Sequence, residues 1–170
     1  MLEIKIDTKD LKTRARELKA GDRVLLSGTV YTARDAAHKR FFDEGIPFDI
    51  DGACIYYCGP TPTPDGKVIG SAGPTTSGRM DPYTPRLLDL GLSAMIGKGE
   101  RDETVCDAIV RNGAVYFAAI GGAGALYAEC IKSLEVIAYD DLGCESVKRI
   151  VIKDMPLIVA TDASGNSLFK

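Results

Sequence analysis

The sequence predicts an α/β domain, a mixed sheet with helices packed on it. Strand-length apolar runs alternate with segments of helical spacing early in the chain, and strand-like runs cluster in its last third. Gly and Pro concentrate between Gly59 and Pro85, which marks a loop-rich middle.

In order along the chain, Leu11, Ala15 and Leu18 fall at helical spacing over Asp10 to Leu18, and Gly21-Asp22 ends that segment in a turn. Val24 to Tyr31 reads as a strand. Thr32 is a plausible N-cap with Asp35 three residues on, opening a helix over Ala33 to Glu44 that Gly45 and Pro47 end. Ala53 to Cys58 reads as a second strand and Val68 to Ala72 as a short one. Asp81 then suits an N-cap before Pro82, with Gly91 closing that helix. Ser93 to Ile96 forms a strand leading into Gly97-Lys98-Gly99. Asp102 caps a helix ending at Asn112-Gly113. Ala114 to Ile120 is a strand, and Gly121-Gly122-Ala123-Gly124 leads into a helix through about Ile131. Leu134 to Tyr139, Val147 to Lys153 and Leu157 to Thr161 are strands, and Asp162 to Asn166 is a turn.

Composition narrows the function classes. The chain has 170 residues, 45% hydrophobic and 26% charged, as expected of one globular domain over residues 1–170. Lys plus Arg number 21 against 24 Asp plus Glu, for a net charge of −3, and no basic stripe suggests nucleic acid. No apolar run approaches the roughly 20 residues that span a bilayer. The first residues mix charges and lack an apolar signal core, so a cytoplasmic placement is expected. Five Cys without a C-x-x-C pair suit reduced thiols better than a disulfide framework.

Three stretches hold polar groups that folding alone does not require. Arg34 sits just past a strand, in the first turn of the predicted helix, where the macrodipole favours anions over cations. There it either binds an anion with the free N–H groups or pairs with Asp35. In Gly73-Pro74-Thr75-Thr76-Ser77-Gly78-Arg79-Met80-Asp81-Pro82, glycines flank three hydroxyls and an Arg precedes a helix start. That stretch suits an anion nest with Arg79 gripping a carboxylate through two parallel hydrogen bonds, or an ordinary hydroxyl-capped turn. Gly97-Lys98-Gly99 offers a positioned point charge or a flexible turn. It is not a P-loop, and Gly121 to Gly124 lacks the G-x-G-x-x-G spacing of a dinucleotide site. The single His38 reads as a surface or packing residue. Cys54 and Cys58, on one strand face, would lie ~13 Å apart, too far for one small metal site, so no metal site follows from this chain. Three cations, Arg34, Arg79 and Lys98, match a substrate with two carboxylates, while no acid–base pair stands out. The chain thus reads as part of a site.

At these residues the sequence resembles a known family. T-A-R-D-A-A-H-K-R, D-G-A-C-I-Y-Y-C-G-P, G-S-A-G-P-T-T-S-G-R-M-D and I-G-K-G together look like the β component of class I iron–sulfur fumarases and the similar L-tartrate dehydratases, over about Leu2 to Phe169. The resemblance implies a swivelling β/β/α domain that closes over an α subunit. That partner would carry a [4Fe-4S] cluster on three Cys, with none bound by this chain. It further implies that Arg34 and Arg79 hold the substrate carboxylates and that Lys98 adds a cation, with Thr76 also in the substrate-binding set. Thr75 would stand near the carbon that loses a proton. The implied reaction is reversible hydration of fumarate to L-malate by a heteromer inactive without its α subunit, and further assembly of αβ units is compatible with it. Tartrate as substrate and a stand-alone dicarboxylate-binding module are the alternatives. Glu100 follows the I-G-K-G stretch where the family often has another Gly, a minor departure.

Overall fold

The computed structural model describes residues 3–120 and 122–169. The chain opens with strand β1 (Glu3–Asp7), which pairs in parallel with β2 (Arg23–Thr32). Between them the expected continuous helix is broken into a 3₁₀ turn at Thr8–Asp10, a short α1 (Leu11–Arg14) and a second 3₁₀ turn at Ala15–Glu17. Asp10 and Arg14, both with ψ near 0°, sit in the bridge region and interrupt the α ladder. Leu11, Ala15 and Leu18 are nevertheless all buried, so their spacing reported the buried face and not the hydrogen-bonding pattern.

Helix α2 (Asp35–Glu44) follows β2, and its N-cap is Arg34, not Thr32. Thr32 stays in the strand, where its hydroxyl accepts the Lys148 N–H at 3.2 Å. Strand β3 (Cys54–Tyr56) comes next, then a strap over residues 59–76 in place of the expected third strand. Pro60, Pro62 and Pro64 remove backbone donors there. The strap instead closes on itself, with the Thr61 N–H on the Ser71 carbonyl and the Ser71 N–H on the Thr61 hydroxyl. Helix α3 (Thr84–Asp89) starts two residues later than expected, with Tyr83 as N-cap, because the Asp81 carboxylate is engaged elsewhere.

Strand β4 (Ala94–Gly97), helix α4 (Glu103–Asn112), strand β5 (Val115–Ala118) and helix α5 (Gly124–Cys130) follow. Asp102 caps α4 through its carboxylate on the Val105 N–H, and Gly113 ends it in the left-handed conformation. Strand β6 (Ile131–Ala138) pairs with β7 (Val147–Thr161). The two strands expected within β7 are one 15-residue strand, distorted at Asp154 (φ 49°).

The sheet order is β1-β2-β3-β4-β5-β7-β6, with a further β2–β7 pairing. Strands β2, β3, β4 and β5 run parallel, and β7 runs antiparallel to both β5 and β2, so these five close a barrel-like ring. Alternate residues of each strand feed two cores. Val24, Leu26, Cys54, Tyr56, Ile96, Phe117 and Val159 pack in one; Ile55, Tyr57, Met95 and Tyr116 meet α2, α3 and α4 in the other through Phe41, Leu87 and Ile109.

Candidate functional site

Parallel strands carry their carboxyl ends to one edge of a sheet, the place where open α/β sheets bind ligands. Arg34 lies two residues beyond β2, and Lys98 directly follows β4. Between the ends of β3 and β4 runs the segment Thr75–Ser77. The Thr75 N–H donates to the Tyr57 carbonyl at 2.7 Å, the Lys98 N–H to the Thr75 carbonyl at 3.4 Å, and the Ser77 N–H to the Lys98 carbonyl at 2.9 Å. Thr76 and Lys98 thereby form a parallel bridge. The sequence Gly-Pro-Thr-Thr-Ser, expected as a loop, works as a short added strand.

Arg34 enters over the extension of β3. A Cβ on Gly59 would stand 2.8 Å from the Arg34 Cδ, so the arginine stem lies flat on that glycine. Its Nε is buried and makes no hydrogen bond, with the Asp35 and Glu145 carboxylates both 3.8 Å away. Those contacts are too long for hydrogen bonds, so the guanidinium keeps donor capacity for a further acceptor. Beneath it, His38 is wholly buried. Its Nδ1 lies 2.8 Å from the Arg34 carbonyl, which only accepts, so the proton sits on Nδ1. Burial pushes the imidazole down from 6.5 to about 4. His38 is a packing residue, among Phe41, Tyr57 and Tyr83.

Arg79 lies in the 3₁₀ turn Ser77–Met80 directly after the added strand. Thr76, Arg79 and Lys98 are exposed and Thr75 is half-buried. Among the described residues, none of these four side chains has a hydrogen-bond or ion-pair partner, whereas Arg40, Arg111 and Arg149 sit on Asp141, Asp89 and Glu135. The structure therefore brings Arg34, Thr75, Thr76, Arg79 and Lys98 to one end of the sheet, on an open face. A groove of 510 Å³ lies elsewhere, between the strap and α5.

Sequence reasoning missed the polar layer under this face. Arg101 is 5% exposed. Its Nε donates to Asp81 at 2.7 Å and its Nη2 to the Thr84 hydroxyl at 2.9 Å. Its guanidinium carbon lies 5.1 Å from the Tyr57 ring centroid and 5.0 Å from that of Tyr116. Asp81 also accepts the Asp102 N–H. The Tyr116 hydroxyl reaches both Ser77 and Gly99. Lys148, at the start of β7, is buried too, and its Nζ donates to the Cys144 and Ser146 carbonyls and the Ser146 hydroxyl. Burial holds its ammonium below the ordinary lysine range. Asp81 and Arg101 are 20 residues apart, and partners at that separation carry no periodic signal.

The thiols do not suit a cluster. Cys54, Cys58 and Cys106 are buried, and burial raises the Cys54 thiol and pushes that of Cys58 up to about 12, against the thiolate form that ligates metal. No group of three or more His, Cys, Asp or Glu that could hold a metal ion occurs among the described residues. Nor is any helix among them long and apolar enough to cross a membrane.

Comparison with known proteins gives the family of the chain. A family model described as Fumarase C-terminus matches residues 1–170. The class I aerobic fumarate hydratase of Escherichia coli K12 is 38% identical over 169 residues, covering 95% of this chain and 31% of that protein. Fumarate hydratase 2 of Leishmania major is 37% identical over 177 residues, covering 98% and 31%. A Methanocaldococcus jannaschii protein with the provisional name L(+)-tartrate dehydratase subunit beta is 38% identical over 177 residues, covering 98% of this chain and 89% of its own. The chain thus spans about a third of the fumarate hydratases but most of the separate subunit. With a match along its full length and a relative of nearly its own size, the chain belongs to the Fumarase C-terminus family.

Proposed function

We propose that this chain is the β part of a hydro-lyase that adds water to fumarate to give L-malate, reversibly, with its site shared with an α chain. The observation that carries the reading is that Arg34, Arg79 and Lys98 come to one end of the sheet with Thr75 and Thr76, and that Arg79 and Lys98 have no counter-ion among the described residues. The names of the fumarate hydratase relatives supply the reaction, and that of the archaeal relative supplies the subunit arrangement.

The chemistry fits what these side chains offer. A proton next to a carboxylate is poorly acidic, and its loss places a second negative charge on that carboxylate. Two guanidinium forks and an ammonium stabilise that charge most where it is greatest, at the transition state. Arg34 and Arg79 would hold the two carboxylates, and Lys98 would add a point charge. Thr75 would stand at the reacting carbon, either moving the proton or orienting the substrate. As a base it needs an alcohol lowered by about 5 units, or roughly 7 kcal/mol of local field, part of which the cations supply. An iron–sulfur cluster, with the Lewis acidity it lends to a hydroxyl, is assigned to the α chain, because the thiols here do not fit one.

Reconstitution of the chain with an iron–sulfur α chain tests the reading. Fumarate hydration by the pair and none by either chain alone is expected. Turnover of a dicarboxylate by this chain alone, or tight binding of fumarate without any α chain, overturns it. The second reading, a tartrate dehydratase β subunit, rests on the archaeal relative, and a higher kcat/KM for L-tartrate than for malate would establish it.

A further inference from the structure

The Tyr116 phenol is completely buried on β5, yet its polar atom is spent on the site and not on the core. The hydroxyl donates to the Gly99 carbonyl at 2.7 Å, and the Ser77 hydroxyl lies 2.7 Å from the same oxygen. The phenol has one proton and the Gly99 carbonyl only accepts, so Ser77 must be the donor to Tyr116. One atom therefore ties the residue after Lys98 to the segment that holds Thr75, Thr76 and Arg79. The surroundings leave it no other position. Arg101, fixed by Asp81, stacks on the ring. Gly99 takes φ +84°, which turns its carbonyl toward the phenol at little steric cost, and a Cβ on Gly97 would overlap the Ser77 hydroxyl. A phenylalanine would fill the same volume, so core packing does not account for the hydroxyl. Burying it would be costly without those two bonds.

We propose that Tyr116 is a positioning residue: its hydroxyl locks the Lys98 loop to the Thr75–Arg79 segment, so that the ammonium, the guanidinium and the threonine meet the dicarboxylate in fixed register. This rests on the function proposed above. Tyr116 touches no substrate. It acts through Gly99 and Ser77, and in this way Lys98 and Arg79, which have no carboxylate partner among the described residues, can still be held in place.

Two measurements test the lock, one of them independent of activity. In the α–β complex, Tyr116→Phe should lower kcat for fumarate about tenfold or more, as sub-ångström misplacement of catalytic groups does, while KM changes much less. In the chain alone, amide exchange at Ser77 and Lys98 should accelerate while Val115 to Phe117 keep their protection. Ser77→Ala should reproduce both effects, and the double variant should lose no more than either single one, because the two substitutions break one unit. Wild-type kcat/KM in Tyr116→Phe within an active complex overturns the proposal, as does unchanged exchange at Lys98. Failure of the wild-type complex to turn over any dicarboxylate would refute the proposed function instead. The exchange measurement alone would then decide whether the lock exists. If Tyr116→Phe does not fold, Ser77→Ala carries both measurements.

Discussion

Arg79 differs from most of the chain's arginines in what it lacks. It is exposed and makes no ion pair among the described residues, while Arg101 is buried on Asp81 and Arg111 is bonded to Asp89. A side chain with no hydrogen-bond or ion-pair partner contributes little to stability, so its value lies in something it meets later. Arg79→Lys should therefore leave the melting temperature of the chain within a few degrees of wild type, yet lower kcat/KM of the complex by at least about tenfold, since an ammonium cannot reproduce a planar fork. Thermal melts and steady-state kinetics on the same preparation check both halves. His38 behaves in the opposite way. It is buried neutral, pushed down from 6.5 to about 4, with an unpartnered Nε2. The unfolded chain thus binds a proton below about pH 6.5 that the folded chain refuses until about pH 4. Stability is unaffected above pH 6.5 and falls as the pH drops through that window, by on the order of 3 kcal/mol from this group alone. Urea melts from pH 7 to pH 4 should show the loss, and His38→Gln should flatten it.

At the scale of elements, α4 was the best-marked segment in the sequence and formed as expected. Asp102 accepts from the Val105 N–H and Gly113 takes φ 65°, so both ends carry their local signals. Asp102→Ala should cost about 1 kcal/mol, read from urea midpoints, because the cap bond is lost. Elements whose form depends on distant partners were less legible. Thr32 looked like a cap, but it faces Lys148 across the sheet. Asp81 looked like a cap as well, but an arginine 20 residues on claims its carboxylate. The strap at residues 59–76 has apolar residues of strand type at Val68 to Ala72, but Pro60, Pro62, Pro64 and Pro74 around them withhold backbone donors, and it joins the sheet at its end, where Thr76 bridges Lys98. Of the candidate site, the cations and hydroxyls were legible because Gly and hydroxyl residues break the apolar periodicity around them. The roles of Tyr116 and Arg101 and the bond between Ser77 and Tyr116 were not, because Tyr116 lies in a strand whose pattern is that of core and Arg101 finds Asp81 20 residues away.

Among the described residues, five of the seven strands form a ring, with three helices on one side and a cation-bearing edge. Ring closure could not be read from the order of elements, since it depends on β7 being long enough to reach both β5 and β2. A sequence that breaks at Asp154 looks like two strands, and the left-handed backbone there lets one strand bend through the corner and pair on both sides. Closure has a mechanical consequence. A band of strands hydrogen-bonded in a circle resists shear much as a hoop does, so the platform that carries Arg34, Thr75 and Lys98 deforms little under load. Under the proposed function, an opening that admits a small diacid would fall at the joint with the α chain, where the hoop would turn as one stiff piece.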